Sequence, residues 1–146
     1  MIRMVSLLTL LMMSWLLGGC ASAPPGAPEA PPRHAAVEAT PGKAQIVVYR
    51  HESLGFAVPM TVRLDGRIGG RTVGQTYVRW EVEPGRHEIS SHAEDASSLT
   101  VDAEAGRTYF IWQEVKVGFW KARSTLHRVD EETGRREAAV CRRAQA

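Results

Sequence analysis

Cys20 has the most definite chemistry open to any residue of this 146-residue chain. It follows Leu17, Gly18 and Gly19 at the end of an apolar run. Small side chains at Gly18 and Gly19 let the backbone lie extended in a narrow peptidase cleft, and a thiol placed there can be converted to a lipid thioether. No other reactive side chain has comparable spacing. The histidines His34, His51, His87, His92 and His127 raise the question of a metal, yet no H-x-x-x-H or C-x-x-C pattern joins them. His87 falls on the apolar side of its strand, so a hydrogen-bonded structural imidazole is expected there and no metal is assigned. There is no G-x-S-x-G elbow, and Ser90, Ser91, Ser97 and Ser98 are expected at strand ends, satisfying turn backbone. The acids are spread over solvent-facing strand positions, so no carboxylate pair stands out. No catalytic residue and no cofactor is therefore assigned, and the protein is not expected to be an enzyme.

Two groups offer binding chemistry instead. Trp120, within Gly118-Phe119-Trp120-Lys121, is expected in a hairpin or loop, where burial in the core is the commoner role of such an indole and an exposed one can stack on a sugar, pack on a partner or lie in a membrane interface. Arg135, Arg136, Arg142 and Arg143 are expected along one side of a terminal helix, chiefly as a solvated face, and as an alternative able to meet phosphate or carboxylate groups of envelope polymers or lipids. The charge balance is otherwise mild, at +2 with a pI near 8.7, and the basic residues form no long run. That speaks against nucleic acid.

The apolar run from Met4 to Leu17, preceded by Arg3, is shorter than the roughly 20 residues that cross a hydrocarbon core. Its length suits the hydrophobic region of a signal peptide. With Cys20 it resembles a bacterial lipoprotein signal, cleaved after Gly19. Residues 1–19 are accordingly set aside from the fold. The resemblance implies a lipid anchor on Cys20 and a place in the cell envelope, and Ala21 after the cysteine, in place of Asp, implies the outer membrane over the inner one. Each buried methylene contributes about 0.8 kcal/mol, so a multiply acylated cysteine stays in its membrane. Cys141 is left without a partner for an intrachain disulfide, and a small, partly buried thiol is expected.

Six of the eight prolines lie between Pro24 and Pro41. Residues 20–42 thus read as a lipidated cysteine followed by a Pro/Ala-rich linker, too poor in large apolar groups to fold. Extended at about 3.1 Å per residue, the linker spans up to roughly 60 Å. Residues 43–146 are long enough to bury a single core without disulfides.

Period-two patterning runs through that domain. Met60, Val62 and Leu64 alternate with Thr61, Arg63 and Asp65, and Asp65-Gly66 is a favoured hairpin turn. Thr76 to Val82, His87 with Ile89, and Leu99 to Ala103 read as further half-buried strands, with a type II turn at Pro84-Gly85. Ile46-Val47-Val48-Tyr49 and Tyr109-Phe110-Ile111-Trp112 are apolar on both faces and belong at the centre of a sheet. Asp130, with Glu131 and Glu132 after it, predicts a capped helix in which Gly134, Ala138 and Cys141 share one face. The expected fold is mainly β, a compact antiparallel β-sandwich with a short C-terminal helix.

Residues 43 to about 141 also resemble a family of small bacterial lipoproteins carrying a β-rich domain of unknown function, PEGA-like in appearance. The resemblance rests on Lys43-Ala-Gln-Ile-Val-Val-Tyr-Arg50, Val62-x-Leu64-Asp65-Gly66, Val82-x-Pro84-Gly85-x-His87-x-Ile89 and Ala105-Gly106-x-x-Tyr109-Phe110. It implies an envelope address and no catalytic residues. The expected role is a membrane-anchored, non-enzymatic module that binds another envelope protein, with a glycan or peptidoglycan fragment as the alternative ligand and a small hydrolase as a more distant one.

Overall fold

A computed structural model describes residues 39–53, 56–92, 96–117 and 122–144. In chain order they form β1 (Ala44–Arg50), β2 (Met60–Leu64), β3 (Arg67–Thr72), β4 (Thr76–Val82), β5 (Gly85–His92), β6 (Ala96–Ala103), β7 (Thr108–Val117), β8 (Ala122–Val129), α1 (Glu131–Ala138) and β9 (Arg142–Arg143). One sheet has the order β8-β7-β1-β4-β9 and the other β3-β2-β5-β6. The expected β-sandwich with one short C-terminal helix is what forms. Cys20, Trp120 and the segment Gly118-Phe119-Trp120-Lys121 lie outside the described residues.

The two segments without polar alternation become the middle of the five-stranded sheet, because β-branched and aromatic side chains suit strands covered on both sides. Ile46 and Val48 of β1 and Tyr109 and Ile111 of β7 face the second sheet, joining Val62, Ile89, Val101 and Leu126. Their neighbours Val47, Tyr49 and Phe110 face outward and are covered with Tyr77 by Ala138 and Cys141. The pairing departs from the antiparallel rule here. β1 and β7 run parallel, with Ile46 opposite Tyr109 and Tyr49 opposite Trp112, and β9 is also parallel to β4. A parallel pair needs a long crossover. The whole four-stranded sheet, inserted between β1 and β7, supplies part of that connection.

Asp65 and Gly66 take φ of 49° and 76° and close the β2–β3 hairpin in the manner of a type I′ turn. At Pro84-Gly85 the chain passes from one sheet to the other, and Gly85 sits at φ 144°. That is not the near +80° of a type II turn.

Between the sheets the core is not uniformly apolar. Thr72 donates from Oγ1 to Gln113 Oε1 at 2.5 Å, and Gln113 Nε2 donates to Ser91 Oγ at 2.6 Å. Ser91 Oγ in turn lies 2.7 Å from Ser124 Oγ. Ser91 is thus a buried link between strands, where a strand-end role had been expected from its position. Burying hydroxyls and amides costs little when they satisfy one another, as these do.

The helix starts as its sequence predicts, with Asp130 accepting from the Thr133 amide at 2.9 Å. It stops sooner than a continuous run to Arg143 would. After Ala138 the chain turns, and Arg142 and Arg143 form β9 on the edge of β4, where the Arg142 amide donates to Gln75 O. The expected four-arginine helix face is therefore split between helix and strand. An eight-residue helix is below the roughly 12–15 residues at which isolated helices become stable, so α1 exists by docking. Gly134 makes the docking close. A Cβ there would sit 2.2 Å from the Phe110 ring. In a free helix Gly134→Ala would be favourable by about 1 kcal/mol. Here it overpacks the helix–sheet contact, and urea denaturation should show a loss of about 1–3 kcal/mol.

Candidate functional site

β1 and β7 start level and run the same way, β7 continuing past the end of β1 to pair with β8, and β4 begins beside the end of β1, with Arg50 opposite Thr76. Side chains just beyond these strands therefore gather at one pole of the sandwich. On its outer face an aromatic row forms across three strands. The Tyr49 and His51 rings are 5.9 Å apart, His51 and Trp112 5.6 Å, and Trp112 and His127 5.0 Å.

Carboxylates fasten the row. Trp112 donates from Nε1 to Glu52 Oε1 at 2.5 Å, and the Tyr49 hydroxyl donates to Glu137 Oε2 at 2.6 Å. Burial, reinforced by that carboxylate, pushes the Tyr49 hydroxyl well above its ordinary pKa. His127 Nε2 lies 2.9 Å from Glu114 Oε2, and Lys116 Nζ 3.3 Å from Glu114 Oε1. Hydrogen bonding from His127, with help from Lys116, holds the Glu114 carboxyl below the usual range. Among the described residues, two buried atoms of this group, His51 Nδ1 and Glu52 Oε2, find no hydrogen-bond partner. His51 Nδ1 stands 3.6 Å from Glu137 Oε2, too far for one.

Beside this row lies a cleft of about 450 Å³ lined by Phe56, Gln75, Ala139, Val140, Cys141 and Arg142. Cys141 forms its buried wall. Its thiol points at Arg50 O, 3.5 Å away, and burial pushes its pKa up to about 12. A thiol so protonated is a weak nucleophile and is closed to interchain pairing while the fold is intact.

The arginines singled out by sequence do not converge. Arg135 is held by Glu131, at 2.9 Å from Nε, and lies 6.0 Å from the centre of the Phe110 ring. Arg136 reaches Thr133 Oγ1 at 3.4 Å. Arg142 and Arg143 are exposed on β9, and Arg142 alone of the four lines the cleft.

Among the described residues no three His, Cys, Asp or Glu side chains come together as metal ligands. His87 has the structural part expected of it. Its Nδ1 is 2.8 Å from Asp65 Oδ2 and its Nε2 2.9 Å from Glu83 O, so the protonated ring donates twice. Burial lowers the His87 pKa, but the bonds to Asp65 and to the Glu83 carbonyl together outweigh it and the net shift is upward. For Asp65 burial likewise opposes, while His87 and the Glu88 amide carry the net shift downward.

The row of Tyr49, His51, Trp112 and His127 was not legible in the sequence. Its one trace is that Tyr49 and His51 share a face two residues apart, whereas Trp112 and His127 join them only through strand registers.

A family model described as a protein of unknown function (DUF2846) covers residues 40–125, which takes in β1 to β7 and the start of β8. No curated protein matches the chain.

The His87–Asp65 pair makes a pH prediction. A raised histidine pKa contributes stability that is complete below its ordinary 6.5 and is lost as pH rises through the folded value, while the lowered Asp65 pKa contributes above 3.8 and is lost on acidification. His87→Asn should therefore destabilise most at about pH 5–6, and its melting curve should approach that of the wild type by about pH 9.

Proposed function

The chain belongs to the DUF2846 family, a family of unknown function, and from that premise we propose that it is a lipid-anchored protein of the bacterial cell envelope, its tethered β-domain a non-enzymatic module for binding another envelope protein. The observation that carries this reading is Leu17-Gly18-Gly19-Cys20 followed at once by a proline-rich spacer. A short apolar run, small residues before a cysteine and an unfoldable leash suit a protein held at a membrane, with its domain free above the surface. Likeness to small bacterial lipoproteins and to PEGA-type β-domains belongs to the same reading. So does the outer membrane, on the strength of Ala21.

The domain is compatible with a binding role in its chemistry. Cys141 is buried with a raised pKa, and the acids and histidines of the aromatic row largely occupy one another. Binding modules need a rigid frame more than a reactive group.

Metabolic labelling with a fatty-acid analogue tests the anchor. Label should appear in the wild type, disappear in Cys20→Ser, and fractionate with outer membranes. Label retained by Cys20→Ser sinks the assignment. Crosslinking in intact envelopes then tests the role: a defined protein adduct supports it, and retention on cell-wall sacculi in its place favours the glycan alternative.

A further inference from the structure

The pole that carries the cleft is the one away from the tether. The linker arrives at Lys43, next to the start of β1, and the Lys43 amide is bonded back to Thr40 O. β1 then runs to Arg50, seven residues and roughly 20 Å further on, where β4 begins and β9 lies alongside it. Whatever is built at that end is presented outward from the attachment point.

Two of the three exposed large hydrophobic residues among those described share this cleft. Phe56 is 48% and Val140 67% exposed, and both line it. The exposure of Phe56 is fixed by backbone geometry. Its amide donates to Ser53 O at 3.0 Å, and its carbonyl accepts from the Gly74 amide at 3.0 Å. Exposed apolar groups held side by side in a concavity mark an interaction site more often than isolated ones do.

Charge and backbone narrow the occupant. Arg142 lines the same cleft, and among the described residues neither it nor Arg143 has a carboxylate partner. The amides of Arg142 and Ala144 donate to Gln75 O, just before β4, and to Tyr77 O within it. In a strand the residue between two such bonds turns its N–H and C=O the other way. Arg143 therefore offers both groups on the open edge of the five-stranded sheet. An apolar hollow, an unpaired guanidinium and an open strand edge together fit an extended chain that adds beside β9.

We propose that the Phe56–Val140–Arg142 cleft and the β9 edge are the docking site for an extended acidic segment of a protein partner, which seats an apolar side chain between Phe56 and Val140 and a carboxylate on Arg142. This deepens the reading of the domain as a protein-binding module and rests on it. The cleft lies at the pole opposite the point where the tether enters the domain, and its chemistry does not depend on the tether.

The test uses the full-length lipidated protein in detergent micelles and two labelled six-residue peptides, one alternating glutamate with valine and the other lysine with valine. Fluorescence anisotropy should show the glutamate peptide binding at least about tenfold more tightly. Arg142→Glu should reverse that preference, and Val140→Ser should weaken both peptides, with circular dichroism and melting curves unchanged because both side chains are exposed. Equal binding of the two peptides, or a glutamate peptide indifferent to Arg142→Glu, overturns the proposal. So does full displacement by a lower concentration of laurate, which would make the occupant a small apolar acid and not a strand. A protein that labels with lipid and reaches the membrane but ignores both peptides refutes the docking site alone. Peptide binding by a protein that takes no label refutes only the anchor.

Discussion

The parallel pairing of β1 with β7 is the contact on which the rest of the molecule depends. It sets Ile46 and Val48 level with Tyr109 and Ile111 on the inner face, and Val47 and Tyr49 level with Phe110 and Trp112 on the outer one. Each strand is buried twice over, once by the second sheet and once by the helix. A slip of one residue would exchange these faces along the whole strand. It would also separate Tyr49 from Trp112 and dismantle the aromatic row. The outer layer has no independent stability to fall back on, because α1 has only eight residues and gains its order from Phe110 and its neighbours.

Strand direction gives the two poles different compositions. Where β1 starts, the interior is closed by Ala44, Val82, Ala103 and Tyr109, all apolar or nearly so. Toward its other end the interior changes to Thr72, Ser91, Gln113 and Ser124, with the buried Arg50 donating to Val58 O at 2.7 Å. Polar groups inside a small sandwich cost more than apolar ones unless every partner is present, so their concentration at one end is a constraint on register there. The same end bears the aromatic row and the cleft. A network that fixes β3, β5, β7 and β8 against one another is a rigid base for side chains that must be held in place beyond the strand ends.

Much of the fold was legible because it follows from local rules. Continuous apolar stretches gave the central strands, Asp65-Gly66 gave a hairpin, Asp130 gave the helix start, and the alternation of Met60 to Asp65 gave a one-sided strand. What escaped was set by contacts between distant segments. The parallel sense of β1 and β7 leaves no mark in either sequence, since apolar strands pair in both senses. Gly134 looks like a defect in a helix until Phe110 is placed beneath it. Arg142 and Arg143 continue a helical spacing from Arg135 and Arg136, and only the docking of Cys141 behind Arg50 O turns them into an edge strand. For the site, the arginines were found by charge, but the partners that give Arg142 a setting, Phe56 and Val140, are ordinary apolar residues with nothing in their types to mark them.

The origin of the cleft bears on how far family membership reaches. Phe56 and Gln75 fall within the residues matched by the family model, whereas Val140 and Arg142 lie beyond its last matched position. One wall thus belongs to the part of the chain that defines the family and the other to the helix and strand that follow it. The sheet face under α1, with Val47, Tyr49, Tyr77 and Phe110, would present a broad apolar surface if that segment were undocked. Covering the face with α1 and β9 leaves a much smaller apolar opening at its edge, bounded by a cation. The terminal segment therefore has two effects: it shields an aggregation-prone surface, and it leaves a narrower, charge-marked opening in its place.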